Sequence, residues 1–128
     1  MNIAEKRFID YPKYRSEINR RKSELLWHEA DANSWIKAKG LNSETVATEV
    51  LKMESDPYIK NRIFWIQCVE ETLDELDEIQ KPLVEQRYFE NIYGYSELGK
   101  IHHVSKSTAW RICEHACKKL AEKLGEEL

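Results

Sequence analysis

Between Ile59 and Leu76 the apolar residues Ile59, Ile63, Ile66, Val69, Leu73 and Leu76 recur at steps of four, three, three, four and three. That spacing follows the 3.6-residue period of an α-helix and places all six on one face, whereas a strand would need alternation. Asp56-Pro57 supplies a cap and a proline suited to the first turn, so a helix is expected from Pro57 to about Glu78. Its stripe can seal an intramolecular bundle or form a dimer seam. One helix is short of the several heptads a coiled coil requires, which favours the bundle. Glu70, Glu71, Asp74, Glu75, Asp77 and Glu78 crowd the expected C-terminal end, where the backbone dipole disfavours negative charge. A solvated face is the ordinary reading of such a run, and an acidic patch for a basic protein surface is the alternative.

The remainder of the chain is helical in pattern too. With only 4 Gly and 3 Pro in 128 residues, the tight turns of a sandwich or barrel are missing. Asp10-Tyr11-Pro12 reads as a helix start. It is followed from Lys13 to about Ala30 by good helix formers with a thin stripe at Tyr14, Ile18 and Leu25. Arg20-Arg21-Lys22 lies mostly off that stripe, as a solvated face or, alternatively, a phosphate-contacting arm. The pattern weakens from Ala32 to Ser43, where Gly40 and Asn42 suggest a loop, and Ser43 then caps a short helix through Val46, Val50 and Met53. The expected fold is all-α. Residues 1–79 form an N-terminal helical bundle or arm, open to dimerisation or partner contact, and residues 80–128 form a separate C-terminal module.

The net charge of −3 conceals an uneven distribution. Residues 1–30 carry 7 Lys and Arg against 5 Asp and Glu, residues 31–80 carry 5 against 11, and residues 81–128 carry 8 against 7. The acid is concentrated in the middle, and a nucleic-acid module needs positive charge only on the face that meets phosphates. No apolar run is long enough to span a bilayer, and the polar N-terminus lacks the apolar stretch of a signal peptide, so a cytoplasmic protein without membrane contact is expected. Cys68, Cys113 and Cys117 have no framework spacing, which suits reduced thiols.

From Gln80 onward the sequence changes character. Gln80-Lys81-Pro82 opens a helix running to about Glu90, and Gly94 is placed to end it in a left-handed cap. A second helix starts at Ser96, Val104-Ser105 interrupts it, and Ser105 is well typed to cap a third from Lys106 to about Leu124. Two helices joined by a three- or four-residue turn, the second longer and polar on one side, are the parts of a helix-turn-helix, here from about Tyr95 to Ala121. Leu98, Val104, Ala109 and Ile112 fall where apolar residues must knit the pair together, and Gly99 falls where only a small residue lets the backbones approach.

Lys106, Ser107, Trp110, Arg111, Glu114 and His115 then face outward. On a helix lying in the major groove, Lys106 and Arg111 suit guanine edges or phosphates, while Ser107 and Thr108 can bond to bases, phosphates or the helix's own first turn. Trp110 either meets DNA sugar and methyl groups or packs on the helix from Pro82 to Glu90. Lys100, His103 and Ser105 around the turn, and His115, Lys118 and Lys119 further along, complete the set expected to contact double-stranded DNA. The histidines would add a modest pH dependence near neutrality.

The run Arg87-Tyr88-Phe89-Glu90, Tyr95-Ser96-Glu97-Leu98, Val104-Ser105-Lys106-Ser107-Thr108-Ala109-Trp110-Arg111-Ile112 and Lys118-Lys119-Leu120 resembles region 4 of sigma factors, the helix-turn-helix that reads a promoter element. The wider chain also resembles the RinA-type family of phage late-gene transcription activators. That likeness is carried by Asp10-Tyr11-Pro12-x-Tyr14, Thr108-Ala109-x-Arg111-Ile112 and Leu120-Ala121-Glu122-x-Leu124-Gly125-Glu126-Glu127. The resemblance implies a sequence-specific activator of phage packaging and morphogenesis genes, working in the bacterial host's cytoplasm, with host RNA polymerase as a candidate partner. A homodimer is a candidate arrangement, since one helix-turn-helix reads only a few base pairs. A phage DNA-packaging recognition subunit and a stand-alone sigma-like factor are the alternatives. Two residues depart from the pattern: His102 stands at a usually apolar position, and His103 replaces the usual turn glycine, so the turn adopts another geometry or strains a left-handed position.

A metal site from Cys113, Cys117 and the nearby His102, His103 and His115 has the wrong spacing for a zinc finger, and cysteines within an apolar stripe are ordinarily small core residues. No Gly-rich phosphate loop, nucleophile elbow or metal-ligand helix motif is present. Neither a cofactor nor catalysis is expected.

Overall fold

The computed structural model describes residues 2–37 and 55–126, with side chains in the first stretch described as far as Leu26. All regular structure among these residues is helical. α1 spans Ile3–Lys37, α2 Pro57–Asp74, α3 Gln80–Glu85, α4 Tyr95–His102 and α5 Lys106–Leu124, and a π-helical turn, Gln86–Glu90, continues α3. The short helix expected after Ser43 lies outside the described residues.

The chain divides into two compact units, one made of Met1–Pro12 with Trp65–Leu128 and the other of Lys13–Phe64. The boundary expected between residues 79 and 80 falls inside the first. Its core joins Ala4 and Phe8 at the start of α1 and Cys68, Val69, Leu73 and Leu76 from α2 to Leu83, Val84, Tyr88, Leu98, Ala109, Ile112, Cys113, Ala116, Cys117, Leu120 and Ala121. Phe8 stacks on Tyr88 and Tyr11 on Phe89, each pair with ring centroids 5.1 Å apart. Tyr11 also donates a hydrogen bond to Glu70 at 2.8 Å.

These contacts explain why Asp10-Tyr11-Pro12 does not start a helix. Asn2 does so, its Oδ1 accepting from the Glu5 N–H at 2.8 Å, and Pro12 lies inside α1. An interior proline costs about 3 kcal/mol, a sum that burial of one large aromatic such as Phe8 largely offsets. α1 also runs on to Lys37, so the expected loop does not begin at Ala32.

In the second unit, Tyr14, Ile18 and Ile59 are buried. Arg21 forms a two-pronged pair with Asp56 at 3.1 and 3.2 Å, and Arg62 bonds Glu17 at 2.8 Å. The partners appear in opposite chain order, so α1 and α2 run antiparallel within this unit. Tyr58 donates to Glu17 at 3.2 Å and accepts from Arg20 at 3.2 Å. Arg20 and Arg21 therefore both have partners within the chain, and the Arg20 side chain is 68% exposed. Burial works against the Glu17 carboxylate, but the Arg62 guanidinium and Tyr58 hydroxyl hold it below its ordinary pKa. Arg21 does the same for Asp56.

Of the expected stripe, Ile59, Val69, Leu73 and Leu76 are buried and Ile66 is half-buried, while Ile63 is 39% exposed; Cys68 and Thr72 join the buried face of α2 beside it. Thr72 is satisfied in the core by donating to the Cys68 carbonyl at 2.8 Å. The helix ends at Asp74, not Glu78, and the acidic run after it has local work to do. The Asp77 carboxylate accepts the N–H groups of Ile79 and Gln80 at 2.9 and 2.8 Å at the start of α3.

Candidate nucleic-acid interface

Ser105 begins α5 by accepting the Thr108 N–H at 3.0 Å, and its hydroxyl donates to Thr108 Oγ1 at 2.8 Å. α4 and α5 are joined by His103, Val104 and Ser105 alone. A β-carbon on Gly99 would stand 2.6 Å from the Val104 carbonyl oxygen and 3.3 Å from the Lys106 nitrogen, so glycine is what lets α4 approach the turn. His103 takes the left-handed conformation, φ 59° and ψ 41°. The turn thus keeps a left-handed corner without glycine, and the His103 N–H caps α4 on the Gly99 carbonyl. His102, next to it, pairs through Nε2 with Gln86 Oε1 at 2.7 Å, which gives a polar ring at a usually apolar position a partner on the π turn.

Burial fixes the orientation of α5. Ala109, Ile112, Cys113, Ala116, Cys117, Leu120 and Ala121 face the core, while Lys106, Ser107, Thr108, Trp110, Arg111, His115 and Lys118 are exposed. At 100° per residue, Ser107, Arg111 and Lys118 lie on one outward line, with Glu114 beside it. Among the described residues, Lys100, Lys106, Arg111 and Lys118 form no ion pair with a carboxylate, so their charge is available to a partner.

Two shallow depressions flank the start of α5. One, of about 530 Å³, is lined by Ser96, Gly99, Lys100, His103, Val104, Ser105 and Lys106. The other, of about 460 Å³, is lined by Tyr95, Lys106, Ser107, Trp110 and Arg111. Lys106 borders both, so the turn and the first turns of α5 form one polar, cation-bearing surface. Trp110 is 48% exposed and lines the second depression together with Tyr95.

Two expected contacts are occupied within the chain. Ser105 and Thr108 are bonded to each other, so Ser105 serves the cap and only the Thr108 hydroxyl hydrogen remains to be donated. Lys119 lies 3.5 Å from Glu75, which also binds Lys123 at 2.7 Å. These lysines hold the Glu75 carboxylate below its ordinary pKa, the hydrogen bond from Lys123 foremost. Glu75 thereby removes Lys119 from the freely available cations.

Sequence reasoning missed the support beneath this surface. Arg87, on the π turn, donates from Nη1 to the Tyr93 carbonyl at 2.6 Å and lies 4.3 Å above the Tyr95 ring centroid. It ties the 91–94 connection to the floor of the Trp110 depression. The left-handed residue in that connection is Asn91, φ 53°, and not Gly94, which is extended and precedes α4. Asparagine is among the few side chains that accept this conformation at modest cost, and its place after Glu90 was the available signal.

Cys113 and Cys117 are core residues. Burial pushes their thiols up to about 12 and about 11, and the Tyr88 hydroxyl lies 3.2 Å from Cys117 Sγ. Among the described residues no group of three or more His, Cys, Asp or Glu is placed to hold a metal ion, and no helix is long and apolar enough to cross a membrane.

Residues 5–122 match the profile of a protein family described as "Protein of unknown function (DUF722)", and the chain belongs to that family. No curated protein and no solved structure matches it.

Proposed function

We propose that this DUF722 protein is a sequence-specific DNA-binding transcription activator, in which α4, the His103–Ser105 turn and α5 act as a helix-turn-helix and α5 lies in the major groove. The observation that carries the reading is the outward line of Ser107, Arg111 and Lys118 on a helix whose opposite face is core, with Lys100 and Lys106, which pair with no carboxylate among the described residues, beside its capped start. Arg111 suits the paired acceptors of a guanine edge, and Ser107 can bond to either base or phosphate. Lys100, Lys106 and Lys118 act on phosphates, which set register and affinity without reading sequence. His103 and His115 stand at the margins of the same surface. The RinA-type resemblance gives the reading its biological direction: late genes of a phage, with host RNA polymerase as a further partner and a homodimer as the binding form.

Selection of duplexes from a random-sequence pool, followed by affinity measurements across a salt series, tests the proposal. Three lysines on phosphates give a log–log salt slope of about −3. Enrichment of a common motif with such a slope supports the reading. Absence of any enriched duplex at low salt overturns it.

A further inference from the structure

The Trp110 indole is not needed for the core, yet it stands nearly half exposed on a depression walled by Tyr95 and rimmed by Lys106, Ser107 and Arg111. A large indole in that position leaves apolar surface in water unless a partner covers it. The depression's other wall is prebuilt: Arg87 sits over the Tyr95 ring and bonds the Tyr93 carbonyl, so Tyr95 is held before any partner arrives. The occupant must therefore offer a small apolar group framed by acceptors or negative charge, because Lys106 and Arg111 stand at its rim without carboxylate partners among the described residues. A purely apolar peptide would leave both cations uncompensated. The major groove of a duplex offers one apolar group among its base edges, the thymine 5-methyl, with O4 beside it and phosphates flanking the groove.

We propose that the Trp110–Tyr95 depression is a thymine-methyl pocket, which makes Trp110 a specificity-determining residue adjacent to the base contact of Arg111. The proposal rests on the DNA-reading role of α5 and adds to it a requirement for thymine next to the base read by Arg111. Deoxyribose is the other apolar surface a duplex presents, and it differs in being indifferent to the methyl group.

The test uses the full chain and a duplex enriched from a random-sequence pool, compared with the same duplex in which every thymine is replaced by deoxyuridine. That change removes only 5-methyl groups from the groove. Wild-type affinity is expected to fall about fourfold for each methyl contacted, the effect of uncovering one carbon-sized apolar group. Trp110→Ala should bind both duplexes alike, with an unchanged melting temperature because the residue lies outside the core. Trp110→Phe, which keeps an aromatic face, should retain part of the discrimination. Equal wild-type affinity for the two duplexes overturns the pocket and assigns the indole to deoxyribose while leaving DNA reading by α5 intact. Discrimination that survives undiminished in Trp110→Ala overturns it as well, by placing the methyl elsewhere. Failure to enrich any duplex sinks the DNA-reading role itself, and the pocket with it.

Discussion

Gly99→Ala isolates the contact that sets the spacing of α4 and α5. A β-carbon there would lie 2.6 Å from the Val104 carbonyl oxygen and 3.3 Å from both the Lys106 nitrogen and the Ser105 carbonyl carbon, and all three obstacles are backbone. No side chain can rotate aside, so the turn itself must shift. Overpacking of this kind costs about 1–3 kcal/mol, and rigid obstacles place the cost near the upper end. Replacing a helical glycine by alanine returns up to about 1 kcal/mol. The net loss is then about 2 kcal/mol, or a fall of about 6–12 °C in melting temperature for a chain of this size. Gly94→Ala serves as the control, since its β-carbon would meet nothing closer than the Glu97 side chain at 4.0 Å. Gly125→Ala has open space but a φ of +75°, and should lose about 1 kcal/mol from backbone strain alone. Thermal melts of the three variants, read by helical circular dichroism, check the order. Were Gly99→Ala as stable as the wild type, the close approach of the two helices would be refuted.

Arg111→Ala should weaken binding to an enriched duplex by about 1–3 kcal/mol and relax sequence preference, and unchanged discrimination in a competition assay would remove Arg111 from the reading face. Lys118→Ala should weaken all duplexes alike and reduce the salt slope by about one. Glu75→Gln releases Lys119 and Lys123 from their shared carboxylate, so affinity for unrelated DNA should rise and the salt slope steepen; an unaltered slope would show that these lysines face away from phosphates. Glu17 and Asp56 have native pKa values below their ordinary 4.5 and 3.8, so they stabilise the second unit above those values and the contribution is lost as pH falls through the lowered native ones. Acid titration should therefore destabilise this unit as pH falls through the lowered native values, and Glu17→Gln with Asp56→Asn should flatten that dependence.

Legibility in the sequence followed the range of the interactions. The Ser105 cap, the glycine at 99 and the buried stripe from Ala109 to Leu120 are local, and a single chain segment displays them. What was hidden depends on distant partners. Phe8 and Tyr11 stack on Tyr88 and Phe89 across some eighty residues, and that contact carries α1 through Pro12. Ile63 follows the same period as its neighbours yet stays 39% exposed, and the packed face of α2 extends to Cys68 and Thr72, whose burial a hydrophobicity pattern does not reveal. Lys119 carries the charge expected of a phosphate ligand and is claimed by Glu75, a residue from another helix end. The left-handed corner at Asn91 shows a similar limit, because the expected cap was Gly94, whereas the left-handed corner at His103 is one of the two geometries that a turn without glycine allowed.

Nuclear magnetic resonance titration of the labelled full chain with an enriched duplex addresses the central claim without relying on substitution. The account places the largest amide and side-chain shifts at Lys100, His103, Lys106, Ser107, Trp110, Arg111 and Lys118, with Glu17, Arg21, Asp56 and Arg62 unmoved. Shifts concentrated on those four residues, with the outward line of α5 silent, would contradict it.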